Sequence, residues 1–327
     1  MWPIIGHEWA VELLDHSLLA DKASHAYLFT GPAQIGKTSL AKAFAQRVQC
    51  HAATPPCGAC RSCRLVQADR HPDVVVISPV EGRIKIEAIR DLQRTVALSA
   101  VEGGRRVCII SRVDLATPAA ANCLLKTLEE PPPRVILMLT ADRVDMVLPT
   151  VVSRCQVLNL RLLPTNQIIS TLRERGLDAE RAQLVGHLAR GRIGWALGTL
   201  TDESVLAQRT RVLDEMREMS TGNCVRRFSW ADQLSRKPEQ VPVVLEILAS
   251  WWRDVLVLAS GSRVPITNVD RQSQLGGWAR RYDVLTARQA LRRIRETGWQ
   301  LEHNANARLA LEVLALDMPA GPVPAGI

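Results

Sequence analysis

AYLFTGPAQIGKTSLAKAFAQRVQ, Ala26–Gln49, decides the fold by the order of its parts. A short apolar run, Ala26–Thr30, leads straight into GPAQIGKT, Gly31–Thr38, which satisfies the phosphate-loop pattern G-x-x-x-x-G-K-[ST] at every fixed position. Ser39–Gln49 then has helical spacing. The first turn of a helix leaves N–H groups unpaired, so a strand, a glycine-bearing loop and a helix in this order aim donors at an anion. The expected nucleotide-binding set is Gly31, Pro32, Ala33, Gln34, Ile35, Gly36, Lys37, Thr38 and Ser39. Lys37 is expected to reach the terminal phosphates, and the Thr38 hydroxyl to face a magnesium ion.

Outward from this stretch, strand and helix signals alternate over the first 160 or so residues. DVVVISP (Asp73–Pro79), RVCIIS (Arg106–Ser111) and RVILMLT (Arg134–Thr140) are short, apolar and rich in β-branched residues. KIEAIRDLQRTVAL and AAANCLLKTLEE between them have i, i+3, i+4 apolar spacing. Strands apolar throughout, alternating with helices, predict an α/β domain: a parallel sheet with helices on both faces. After LRLLPTNQ, Leu160–Gln167, strand signals stop, and helices are predicted near Gln167–Arg175, Ala179–Ala189 and Gly194–Leu200. The chain from Ser204 to Met318 reads as helical, broken near Gly222, Pro238, Gly261–Pro265 and Gly276–Gly277. Trp230, Trp251, Trp252, Trp278 and Trp299 lie in or beside these helices and are expected to pack a core. The tail PAGPVPAGI reads as disordered.

The most apolar stretch, Val241–Ala259, carries Glu246, Arg253 and Asp254, which a membrane span would bury at heavy cost. The N-terminus lacks a basic segment followed by a long apolar core, so the chain reads as cytoplasmic with no membrane partner. The net charge of +8, from 41 basic and 33 acidic residues, suits proximity to nucleic acid but equally suits solvated basic faces. Four of the eight cysteines stand in CHAATPPCGACRSC: Cys50, Cys57, Cys60 and Cys63. Four thiolates with C-x2-C turns can close a tetrahedral zinc shell, and in a reducing compartment this chemistry outranks a disulfide framework. His51 adjoins a better ligand, so a closed structural site is expected; a redox dithiol is the other chemistry the spacing allows. Cys108, Cys123, Cys155 and Cys224 are expected as buried free thiols.

Hydrolysis requires an acid at the end of the strand beside the loop. The strand RVCIIS ends instead in Ser111 and Arg112, and Asp114 follows beyond the apolar run. HAYLFTGPAQIGKT (His25–Thr38), ANCLLKTLEEPPP (Ala121–Pro133), LPTVVSRC (Leu148–Cys155), the cysteine insertion and NANARLALEVLAL (Asn304–Leu316) together resemble bacterial DNA polymerase III clamp-loader subunits of the AAA+ superfamily. The resemblance covers nearly the whole chain. It implies a AAA+ phosphate-loop domain over residues 1–163 with the zinc knuckle at 50–63, a small helical lid over 164–203, and a helical collar over 204–327.

Within that family the motor subunits (gamma/tau) and the delta-prime subunit are the candidates. The resemblance implies that Thr140 lies near the terminal phosphate and that Arg154, in SRC, is an arginine finger inserted into a neighbour's site. Ser111 and Arg112 stand where motors keep an acidic pair. Gly194 stands where they keep a nucleotide-sensing arginine, with Arg190 and Arg192 just before it. Both departures resemble delta-prime. The expected partners are therefore gamma/tau and delta in a five-membered ring, the sliding clamp, and primed DNA through the assembled complex. The expected cofactors are structural zinc and ATP or ADP with magnesium, with little or no ATP hydrolysis by this chain. The alternatives are an active motor using Asp114 as its acid, and a zinc-dependent nucleic-acid binder with a vestigial loop.

Overall fold

The computed structural model describes residues 2–102 and 104–321. It forms two compact units: the first runs to Pro164 and includes Gly191–Trp195, and the second holds Thr165–Arg190 and the chain from Ala196 on. In the first, the elements in chain order are α1 (Glu8–Leu19), β1 (Ala26–Thr30), α2 (Lys37–Gln49), α3 (Arg61–Gln67), β2 (Val74–Ile77), α4 (Ile86–Val96), β3 (Arg106–Ile110), α5 (Pro118–Glu129), β4 (Val135–Ala141), the one-turn α6 (Pro149–Val152) and β5 (Gln156–Asn159).

The five strands are parallel, in the order β2-β3-β4-β1-β5. Period-two alternation splits each central strand between two cores. Tyr27, Phe29, Val107, Ile109, Ile136 and Met138 face the side packed by Ala10 and Leu14 of α1 and Phe44 of α2. Leu28, Cys108, Ile110, Leu137 and Leu139 face Ile89 and Leu92 of α4 and Leu124 and Leu128 of α5. The expected α/β class with both faces covered is observed, and it explains why the central strands carry no alternating polar face.

Four elements of the first unit escaped the sequence reading, the one-turn α6 among them. β5 is short and buries only Leu158, so it carries no apolar run. α1 buries only Ala10 and Leu14, and α3 is seven residues long.

The rest is helical: α7 (Thr165–Glu174), α8 (Ala179–Ala189), α9 (Ile193–Thr201), α10 (Ser204–Thr221), α11 (Cys224–Ser235), α12 (Val241–Ala259), α13 (Gln272–Arg281), α14 (Val284–Glu302) and α15 (Ala307–Asp317). The expected break at Gly276–Gly277 is not there. Both glycines lie inside α13, which is held by the buried Leu275 and Trp278; the chain breaks instead at Tyr282, and the Asp283 side chain caps the N-terminus of α14. The tail from 322 on lies outside the described residues. No helix among the described residues is long and apolar enough to cross a membrane. Asp254 is instead a fully buried acid in α12, accepting from the N–H groups of Thr267 and Asn268, the Asn268 amide and Arg253.

Trp251 and Trp252 meet Trp278 edge-on, with centroids 5.7 and 5.3 Å apart. Trp230 packs against the same core. Trp299 departs from the expectation, being 59% exposed and stacked on His303. Cys224 departs too: it is exposed, while Cys108 is buried and Cys123 and Cys155 are half-buried. Removing the central ring, Trp278→Ala, is expected to cost about 3–5 kcal/mol. Urea unfolding followed by far-UV circular dichroism checks this; a loss under about 1 kcal/mol would show that the aromatic cluster is not what holds the helices together.

Candidate nucleotide and metal sites

The loop begins where β1 ends. An added Cβ at Gly31, whose φ is 133°, would come within 2.5 Å of the Leu160 carbonyl oxygen, so only glycine fits. Gly36, with φ 104°, turns the chain into α2. No side chain caps that helix, and no acid lies in its first turn; its N–H groups are thus available to an anion. Ile35 is buried beneath the loop, its carbonyl 3.0 Å from Nε2 of the buried His7. Pro32, Ala33, Gln34 and Ser39 are exposed, and Thr38 is half-buried.

Lys37, 6% exposed, donates to the carbonyls of Gly31 and Pro32 at 2.7 and 2.6 Å. Its third partner is Asp142 Oδ1, at 2.7 Å. Burial pushes the Lys37 pKa below the usual lysine range, against the pull of Asp142, and the positive charge of Arg112 adds to the lowering. Asp142 follows β4 directly. Its other oxygen takes Arg112 Nη1 at 2.8 Å. Arg112 also forks onto Asp114: Nε lies 3.2 Å from both oxygens and Nη2 3.1 Å from Oδ2. Asp114 accepts in addition from the Asp142 N–H, and its side chain is 3% exposed. The four charges form one chain, Lys37–Asp142–Arg112–Asp114.

Thr140 is buried and its hydroxyl accepts the N–H of Arg112 at 3.0 Å, fixing that residue in its left-handed conformation, φ 58°. Ser111 is buried, and its Oγ has no hydrogen-bond partner among the described residues. Asp142 is the residue that the sequence reading missed. An acid just past an apolar strand reads as a loop residue, and only the sheet register places it opposite the phosphate loop. Arg154 is not drawn into this cluster; Nη2 is 2.6 Å from Glu129 Oε1 and Nη1 3.0 Å from the Thr150 carbonyl.

The second site closes locally. Cys50 follows the last residue of α2, and Cys60 is the N-cap of α3. Three backbone N–H groups point at sulfur: Cys57 to Cys50, Cys60 to Cys57 and Cys63 to Cys60, at 3.3–3.4 Å. The four Sγ atoms lie within 4.8 Å of one another, Cys50 and Cys60 at 3.9 Å. A tetrahedron with ~2.3 Å zinc–sulfur bonds has edges of about 3.8 Å, so the four sulfurs fit such an ion. His51 is exposed and stands outside the group. Backbone N–H groups, that of Cys60 foremost, hold the Cys57 thiol down at about 6, whereas burial pushes Cys63 up to about 12.

The family described as DNA polymerase III, delta subunit, matches residues 6–164, and its C-terminal family matches 204–319. An Escherichia coli protein named DNA polymerase III subunit delta′ is 30% identical over 265 residues, 79% of this chain and 77% of its own length. The chain belongs to this family. A Bacillus subtilis delta′ is 27% identical over 316 residues, 95% of both chains. A Haemophilus influenzae delta′ reaches 39% over 193 residues, and the chain spans 58% of that relative's length.

One further contact reaches the phosphate loop. Gly194, near the start of α9, donates its N–H to the Gln34 carbonyl at 2.7 Å. A Cβ there would lie 2.7 Å from that oxygen and 3.2 Å from its carbon, both backbone atoms that cannot swing aside. A helical Gly→Ala change ordinarily gains about 0.5–1 kcal/mol. Gly194→Ala is expected to reverse that sign and lower the melting temperature. Gly198→Ala, in the same helix with nothing within 4 Å of its Cβ, should keep the ordinary gain. Thermal unfolding of the pair checks this, and equal shifts would show that the close approach costs nothing.

Proposed function

We propose that the chain is the delta-prime-like member of a clamp loader: it joins gamma/tau motor subunits and delta in a five-membered ring that opens a sliding clamp onto primed DNA. Its own loop binds ATP or ADP and does not turn it over. Arg154 acts in trans, on the nucleotide of a neighbouring motor. The observation that carries this reading is Arg112. A cation stands where hydrolysis needs a free acid, and it occupies both oxygens of Asp114, the nearby replacement. An active motor using Asp114 would first have to break that fork.

Arg154 suits a role outside its own loop. It is about one-third exposed, on the turn after α6, and paired with the half-exposed Glu129, so little holds it from a partner's phosphate. In this reading the four cysteines hold one zinc ion, which ties α3 to the end of α2 and fixes a local fold rather than a reaction.

Two measurements test the proposal. In the reconstituted loader with clamp and primed DNA, Arg154→Ala is expected to depress ATP turnover. A finger is worth on the order of 10³-fold at the site it serves, and proportionately less in a ring with several active sites. Lys37→Ala should leave turnover nearly intact; comparable damage from both variants would make this loop a working site and overturn the reading. For the metal, the purified chain should carry one equivalent of zinc. Cys57→Ser should lose that zinc and some thermal stability while leaving the loader's DNA affinity close to normal. Loss of DNA binding in step with zinc would instead make the knuckle a nucleic-acid contact.

A further inference from the structure

The magnesium ion expected at Thr38 does not fit the residues around it. A magnesium site beside a nucleotide draws on one or two carboxylates besides the phosphates and waters. The end of β3 offers Ser111, a neutral hydroxyl, and Arg112, a cation. The two carboxylates within reach are already engaged: Asp114 by the Arg112 fork, and Asp142 between Arg112 and Lys37. Lys37 and Arg112 balance Asp142 and Asp114, so the cluster is neutral without a metal. A divalent ion arriving here would meet the Arg112 guanidinium and find Asp114 and Asp142 both paired.

Lys37 carries a second piece of information. An ammonium has three donors, and those of Lys37 go to two loop carbonyls and Asp142. A phosphate oxygen must therefore displace one of them. The carbonyls belong to the loop backbone that forms the cradle, whereas Asp142 is a side chain. Its carboxylate gives one oxygen to Lys37 at 2.7 Å and the other to Arg112 at 2.8 Å. That is the arrangement two oxygens of a phosphate would adopt between the same cations.

We propose that this loop takes the phosphates of its nucleotide without a divalent cation, Arg112 supplying the positive charge a metal would bring, and that the Asp142 carboxylate holds the terminal-phosphate position until the nucleotide displaces it. This rests on the nucleotide-binding half of the proposed function and is independent of Arg154. It makes the site a receptor for metal-free nucleoside di- or triphosphate, and Asp142 the group against which affinity is set.

The test is equilibrium binding of a fluorescent ADP and a fluorescent ATP to the full chain. Buffers are freed of magnesium on a chelating resin before protein is added, so that the cysteine site keeps its ion, and are compared with buffers containing millimolar magnesium. The wild-type dissociation constants are expected to agree within about twofold between the two buffers. Asp142→Asn, which keeps the side-chain shape and removes the competing charge, should bind about tenfold tighter in both. Arg112→Ala should weaken magnesium-free binding about tenfold, with Arg112→Lys restoring part of it. The double change Ser111→Asp with Arg112→Glu should make binding magnesium-dependent. Circular dichroism and zinc content establish that each variant is folded.

A wild-type affinity that falls tenfold or more when magnesium is withdrawn overturns the proposal, as does an Asp142→Asn variant that binds no tighter than wild type. No binding by wild type and Asp142→Asn alike would overturn both this proposal and the nucleotide half of the proposed function. The Arg154 half would still be decided by turnover in the assembled ring.

Discussion

The Asp142 carboxylate, shared between Lys37 and Arg112, is the contact on which the chemistry of the first unit turns. Its position follows from the sheet. Parallel register pairs Thr30 with Ala141 and Ile110 with Leu139, so the carboxyl ends of β1, β4 and β3 lie side by side. The loop after β1 supplies Lys37, the chain after β4 supplies Asp142, and the chain after β3 supplies Arg112. Three residues far apart in sequence converge because their strands end at one edge of one sheet, where open α/β folds place their ligands. Lys37 and Asp142 are largely withdrawn from water and Arg112 is half-buried, and a buried charge is tolerable only when paired. The half-buried cation at position 112 is flanked by Asp114 and Asp142 and engages both.

The same logic separates what was legible in the sequence from what was not. The phosphate loop, the cysteine knuckle and four of five strands are local: a spacing, or a run of apolar residues buried on both faces, carries each. β5 is an edge strand with one buried residue, so its pairing with β1, not its composition, makes it a strand. Gly276 and Gly277 lower helix propensity, yet burial of Leu275 and Trp278 on either side outweighs them. Trp299 and Cys224 were read by residue type, and both side chains are exposed. Ser111 and Arg112 were legible as a departure from the hydrolytic pattern. Their partner Asp142 was not, because the pairing exists only across strands.

One helix joins the two sites. α2 starts at Lys37 and ends one residue before Cys50, so its N-terminus faces the phosphate position and its C-terminus enters the knuckle. Two buried glutamines on its last turns anchor it: Gln46 donates to the Cys63 carbonyl and Gln49 to that of Arg105, at 3.0 and 2.6 Å. A four-cysteine ion would thus hold the far end of the helix whose near end offers its unpaired N–H groups at the phosphate loop. Its effect on the loop would pass through the rigidity of α2 rather than through charge, since α2 is 13 residues long and spans ~20 Å at ~1.5 Å per residue, beyond the ~8–10 Å over which exposed charges act in salt.

Binding and hydrolysis make different demands, and in the proposed function they come apart for a physical reason. Holding a phosphate needs only the loop: glycines that permit its turns, unpaired N–H groups at a helix start, and a lysine braced on two carbonyls. All of these lie within one short stretch, Gly31–Ser39. Turnover needs an acid brought from another strand and left unpaired, so that it can hold a metal and a water. A single cation at the end of β3 removes that condition without touching the loop, because its guanidinium takes both oxygens of Asp114 and one of Asp142. What remains is a cradle with its own internal anion. On the proposed reading, such a site can be filled or emptied with no step that consumes what it binds.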